Sequence, residues 1–307
     1  MNSTRKLQAA RKILIAAGLL AAAVPAWGGT QLQKTLKLEP GGRFVLEADE
    51  GSVTVVGSDQ SDASVVISSN RDDFESRVHF TFEEDAGMVR VRSREEGYDW
   101  NLLEFLFDHL WLHFEVRVPK STTLEIKTGG GGISVDSIVG YSELRTSGGS
   151  IEMSNVIGDV HAHTSGGHIR AEQIRGEIEV GTSGGGIEAD SIDGGLVADT
   201  SGGGIRINGV TGHVRVHTSG GSISAVLSKG NANGGEIDTS GGSIYVRLDP
   251  AVNLDVDASS SGGGVSSGIP LRGGGSNSWG ALRGTLGAGG DLLRVHTSGG
   301  SVRLEPL

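Results

Sequence analysis

The phrase Thr-Ser-Gly-Gly-x-Ile begins at Thr146, Thr164, Thr182, Thr200 and Thr218, and Thr128 opens the variant Thr-Gly-Gly-Gly-Gly-Ile. Each start lies 18 residues after the one before. A fixed period of this length is the signature of a stacked architecture in which each unit touches only its neighbours and none buries its apolar face alone. It therefore constrains the fold more tightly than any local propensity.

The residues inside the period choose strands over helices. Two and four positions before each Thr, the chain places pairs such as Leu124 and Ile126, Val160 and Ala162, or Val214 and Val216. Five residues after each Thr stands an isoleucine column, Ile133, Ile151, Ile169, Ile187, Ile205 and Ile223, and Ile244 continues it. Seven after come Val135, Met153, Ala171, Ala189, Ile207 and Ala225. This is period two on both sides of a glycine corner, which predicts two short strands per unit. A further apolar position, such as Ile138 or Ile192, precedes an unbroken second glycine column of Gly140, Gly158, Gly176, Gly194 and Gly212. These mark the second corner, where glycine supplies the backbone angles of a tight turn.

The predicted fold is all-β: a single-stranded β-solenoid of 18-residue coils stacked roughly 4.8 Å apart. After Thr218 the interval loosens to 21 residues, reaching Thr239 and then Ser260, and the phrase returns last at Thr297. The solenoid is expected over residues 121–307, with a Gly/Ser-rich surface loop at 266–290.

Residues 27–120 differ in composition. Alternation over 35–39, 43–48, 52–56, 63–68, 78–83 and 88–93 predicts an antiparallel β section, although Glu50-Gly51-Ser52-Val53 looks like a repeat corner and suggests a first coil with an excursion after it. Residues 100–114 concentrate large apolar side chains, among them Trp100, Phe105, Phe107 and Trp111. These are expected to cap the open end of the stack near Ile126 and Ile133, because terminal repeats need a different outer face. A docking surface for lipid or a partner is the alternative.

Residues 1–26 combine Arg5, Lys6, Arg11 and Lys12 with the apolar run 13–24 and end in Val-Pro-Ala, the pattern of a secretory signal peptide. The run is too short to span a bilayer, so the mature chain is expected to have no transmembrane span. Formal net charge is −11, and loss of the leader makes it −15. That balance argues against a nucleic-acid partner. The chain has no cysteine, which removes disulfides, thiolate metal sites, thiol nucleophiles and lipoprotein attachment together.

Chemistry is sparse. There is no nucleophile elbow, phosphate-binding glycine loop, dinucleotide fingerprint or zinc-protease helix. The positions after the corner hold Glu152, Arg170, Glu188 and Arg206 rather than the recurrent Asp of calcium-binding repeats, and they predict an outer ladder of alternating charge. His161, His163 and His168 crowd one corner, but His163, His217 and His296 share a slot in separate coils, so an exposed polar slot is expected rather than a metal site. The enzyme alternative is a polysaccharide lyase or hydrolase using Glu152, Glu188 or Asp190; coils this short leave no loops to wall a cleft.

Several segments together resemble a known family. Leu38, Pro40, Gly41 and Gly42 lead; Gly51-Ser52-Val53-Thr54-Val55 and Val116-Arg117-Val118-Pro119 follow; the repeated phrase and Gly284-x-x-Gly287-x-Gly289 up to Thr297-Ser298-Gly299-Gly300 close the pattern. The chain is similar to a bacterial adhesin-like β-strand-repeat family of unknown function. The resemblance implies a secreted or periplasmic envelope protein and carries no catalytic residue or cofactor. The expectation is an exported, non-enzymatic protein, periplasmic or extracellular, with a structural or adhesin-like role. It would present ladders of Thr, Ser and charge to an envelope or extracellular partner, protein or glycan.

Overall fold

The computed structural model describes residues 31–95, 110–227, 233–277 and 280–307. The leader and Trp100, Phe105 and Phe107 lie outside the described residues. Each repeat contributes two strands, one to each of two facing sheets of 14 and 13 strands among the described residues. Strands that end at the phrase's Thr, such as Ser142–Thr146 and Val160–Thr164, form the first; strands that begin at its Ile, such as Ile151–Ile157 and Ile169–Arg175, form the second. Neighbouring repeats pair in parallel without slippage, Leu144 beside Ile126 and Ala162, Ile151 beside Ile133 and Ile169. All seven residues of the isoleucine column are buried, and with the facing Leu, Val and Ala side chains they form one continuous core. Full burial of each is worth about 1.5 to 3 kcal/mol.

The two corners are held differently. At the phrase, the Thr side chain turns inward: Thr182 Oγ1 donates to the Gly167 carbonyl of the coil below at 2.9 Å and accepts from the Gly185 N–H of its own coil at 3.3 Å. The same pair of contacts recurs at Thr146, Thr164, Thr200, Thr218, Thr239 and Thr297. These threonines are buried, at most 5% exposed, so they fasten coil to coil and are not presented to a partner as the sequence suggested. The second Gly of the phrase is required by proximity, since a Cβ at Gly185 would lie 1.9 Å from the Gly167 carbonyl oxygen.

The second corner needs glycine for both angle and space: Gly158 has φ +138° and its Cβ would meet the Gly140 carbonyl oxygen at 2.4 Å. Just before it, Ser137, Asn155, Gln173 and Ser191 take left-handed backbone angles with φ between 54° and 61°. One residue in that conformation offsets the alternation, so Ile138, Val156, Ile174 and Ile192 point inward three positions, not two, after the previous core residue.

The ends depart from sequence order. Arg43–Ala48 and Ser52–Ser58 form a true coil, stacked in parallel beneath Thr123–Thr128 and Ile133–Val139. Beneath it lies a coil made of later residues, Met88–Glu95 and Leu112–Pro119, also parallel. At this end, among the described residues, the antiparallel pairings are those of Gln31–Leu36, Ala63–Ser69 and Val78–Asp85, which close the stack. The expected antiparallel section is thus half solenoid, because alternation marks a strand without fixing the direction of its partner.

At the other end, the phrase of Thr297 is not the last layer. Leu292–Thr297 and Val302–Pro306 lie between the coil of Thr239 and the coil of Ser260. The ladder follows space and not sequence: Thr297 donates to Gly242, and Ser260 donates to Gly300 at 2.6 Å. The expected loop at 266–290 instead contains the antiparallel strands Arg272–Asn277 and Ala281–Leu286, which pair with each other, and Ala281–Leu286 pairs with Leu254–Ser260 to form the second cap. Glycine and serine obscured these strands; Leu282 and the buried Leu286 anchor the hairpin to the core. Among the described residues, antiparallel strands occupy three of the four sheet ends, edges that would otherwise invite another chain.

Candidate binding faces

With the threonines inside, the outer surface consists of the positions between them. Glu152, Arg170, Glu188 and Arg206 stand beside one another on consecutive strands of the isoleucine sheet. Arg170 Nη1 reaches Glu188 Oε2 at 3.3 Å and Nη2 reaches Glu172 Oε1 in its own strand at 2.6 Å. These side chains are about half exposed, so the pairs set local geometry and add little stability.

Two positions on, Asp136 accepts hydrogen bonds from Ser154 at 2.6 Å, Asn155 at 2.8 Å and Ser137 at 2.7 Å. Partial burial raises its pKa, but the three bonds outweigh that and hold the carboxyl below the usual Asp value. Asp190 is lowered by hydrogen bonds from Ser191 at 2.6 Å and Asn208 at 2.8 Å, against the opposing effect of burial. The left-handed Asn155, Gln173 and Ser191 and the exposed Ile157 line a shallow groove of about 480 Å³ beside this column.

On the threonine sheet, the slot just before Thr carries Lys127, Arg145 and His163 on adjacent strands. Lys127 Nζ contacts Glu125 Oε1 at 2.5 Å and Arg145 Nε contacts Glu143 Oε1 at 2.9 Å, both along the strand. The hydrogen bond from Lys127, joined by one from Arg43, keeps the Glu125 carboxyl below its ordinary range despite burial. The other side of these cations opens into a groove of about 620 Å³ lined also by Arg92, Arg94, Ser147 and Ser165, with Glu47 and Asp49 its acidic members. The histidines of this slot stand out in the sequence, whereas Lys127 and Arg145 share it unnoticed unless one residue is counted back from every Thr.

The histidines disperse into separate contacts. His161 Nδ1 faces Glu179 at 3.2 Å, His168 Nδ1 accepts from the Gly186 N–H at 3.0 Å, His217 Nδ1 meets Asp238 at 2.9 Å and His296 Nδ1 meets Ser259 at 2.9 Å. Among the described residues no three His, Asp or Glu side chains converge as metal ligands. Trp111 does not cover the end of the stack near Ile126 and Ile133: it is 53% exposed and stacks on His113 with ring centroids 5.7 Å apart. Phe44, Phe74 and Phe114 are the large buried side chains at that end. No described helix is long and apolar enough to cross a membrane.

A family model described as Toastrack DUF4097 matches residues 42–305. The chain belongs to this family. Solved structures similar to it include a "putative cell adhesion protein" from Clostridium sporogenes (10% identity, 91% of this chain and 100% of that one, TM-score 0.24). Others are a "putative adhesin" from Bacteroides fragilis (9%, 91% and 97%, TM-score 0.34) and a "putative lipid binding protein" from Parabacteroides distasonis (8%, 91% and 98%, TM-score 0.35). No curated protein matches the chain. In this Toastrack protein the repeated phrase is the fastening of the stack.

Proposed function

We propose that the protein is exported and serves as a non-enzymatic scaffold with an adhesin-like or structural role at the bacterial cell envelope, in the periplasm or outside the cell. The observation that carries this reading is the in-register spacing of outward side chains over consecutive coils, which offers a partner many regularly spaced contacts in one line and so gains from multivalency. The leader pattern of residues 1–26 supports export, and the acidic balance favours an envelope protein or glycan over nucleic acid as partner.

Two of the three carboxylates that a polysaccharide lyase or hydrolase would use are bonded within the protein. Glu188 is paired with Arg170, Glu152 stands two strands from Glu188, and Asp190 is held below its usual pKa, opposite to the raised value that a general acid requires. Cell fractionation followed by cross-linking of the native protein tests the proposal. Recovery from the periplasm or medium, joined to an envelope protein or glycan, is expected. A cytoplasmic pool, or sugar fragments released from envelope glycans by the purified protein, overturns it.

A further inference from the structure

We propose that the groove over Lys127, Arg145 and His163 binds a linear acidic glycan, lying along the stack axis with a repeating carboxylate or phosphate over this basic stripe. The inference rests on the envelope-scaffold reading and names its ligand class.

The first observation is a broken pattern. Like charges side by side on neighbouring strands are destabilising, and outside this slot they meet at Glu125 beside Glu143 and at Glu172 beside Asp190. The column of Glu152, Arg170, Glu188 and Arg206 alternates in sign. Farther along the Thr-preceding slot, Asp199, His217, Asp238 and His296 alternate as well. Lys127, Arg145 and His163 depart from these alternating columns, three basic side chains in a row that begins beside Glu47, in a protein of net charge −11.

The second observation is where their unsatisfied side faces. Glu125 and Glu143 hold Lys127 and Arg145 along the strand, yet neither carboxylate lines the groove, and the cationic side chains remain 41% and 60% exposed. Arg94 is exposed at the groove's edge, while Arg92 is tied to Glu47 at 2.7 Å. Four strand-to-strand steps separate the strand of Arg92 from that of His163, a length of about 19 Å. A lone anion would engage one or two of these groups; a polymer with charge on successive units engages the row. The exposed Ser147 and Ser165 beside it offer hydrogen bonds to sugar hydroxyls and add no charge.

The test uses the leaderless full chain and linear polygalacturonate oligomers as probe, with neutral cello-oligosaccharides, monomeric galacturonate, an oligodeoxynucleotide of equal charge and phosphatidylglycerol vesicles as comparisons. Polygalacturonate is expected to bind most tightly, more weakly as salt rises. K127Q/R145Q should weaken it at least about tenfold, since each lost charge-assisted bond costs that much. R94Q, at an exposed site, gives a second variant should the first melt early. Equal binding of the neutral oligomer, stronger binding of the oligonucleotide or vesicles, or unchanged affinity in both folded variants overturns the proposal. If polygalacturonate fails while cross-linking to an envelope component persists, the glycan assignment falls and the scaffold reading stands.

Discussion

The middle of the stack and its two ends use the same fastening and obey different orders. Between Thr128 and Thr218 every coil sits on the coil that precedes it in the chain, and each Thr bonds to a glycine carbonyl 15 residues back. At the ends, the same bond spans 77 residues from Thr128 to Gly51, 55 from Thr297 to Gly242 and 40 from Ser260 to Gly300. The phrase therefore encodes how a coil sits on its neighbour and is silent on which coil that neighbour is. At each end the chain passes one layer, lays down antiparallel strands as a cap, and then fills the layer it skipped.

The largest effect is steric and is set by position within the phrase. In the middle, Gly185→Ala pushes a Cβ to 1.9 Å from the Gly167 carbonyl oxygen, as it would at the equivalent Gly263 of the outermost coil, 2.3 Å from Gly300. A Cβ at Gly264, the x position of that outermost phrase, meets nothing within 4 Å. Gly185→Ala should destabilise by about 3 kcal/mol or more and Gly264→Ala by less than about 1 kcal/mol, read by thermal melting. Equal melting shifts would mean that the close coil contact is not formed.

A smaller effect tests the equivalence of the fastening. Thr182→Val and Thr297→Val each leave a carbonyl of the neighbouring coil without its donor, at Gly167 and Gly242, and each should cost about 1 to 3 kcal/mol. If only the mid-stack variant melts early, the coil of Thr297 is held by something other than the ladder.

The smallest effect is a contrast in pH dependence. Asp136, in the stack, has a lowered pKa in the folded state, so it stabilises the fold above the ordinary Asp value of about 3.9 and that contribution is lost as pH falls through the lower folded value. Glu95, at the capped end, is raised by burial and by Glu50 and Asp49, so its cost appears as pH rises through the raised value and is relieved in acid. Melting below pH about 4 should fall less steeply in D136N than in the parent, while E95Q should melt higher near neutral pH. The reverse signs would contradict the hydrogen bonding around Asp136.

The sequence was legible wherever the period held. Ile133 through Ile244 lie in the core, the second-corner glycines stand where a Cβ would strike the next coil, and Glu152 through Arg206 share one outer column. What escaped depends on partners distant in the chain. Nothing local in Leu292–Thr297 says that it slips beneath Ser260, and alternation in Arg43–Ala48 reads alike for parallel and antiparallel neighbours. Hydroxyl direction was equally hidden, since a Thr beside glycine corners fits an exposed turn as well as a buried ladder. The candidate basic stripe was written at one position per repeat, but it is visible only when coils are compared at the residue before Thr.

The order of layers is the claim on which the outer columns depend, and the absence of native cysteine makes it directly measurable. In the described stack Ser298 lies next to both Ser240 and Ser261, and Ser240 and Ser261 are separated by a whole coil. A disulfide needs Cα atoms about 4.4 to 6.8 Å apart, so one strand spacing permits it and two do not. Oxidation of the S240C/S298C variant should form the bond rapidly under native conditions, and S240C/S261C should remain reduced. Rapid bonding of S240C/S261C with none in S240C/S298C would show that the coils stack in sequence order and would contradict the account.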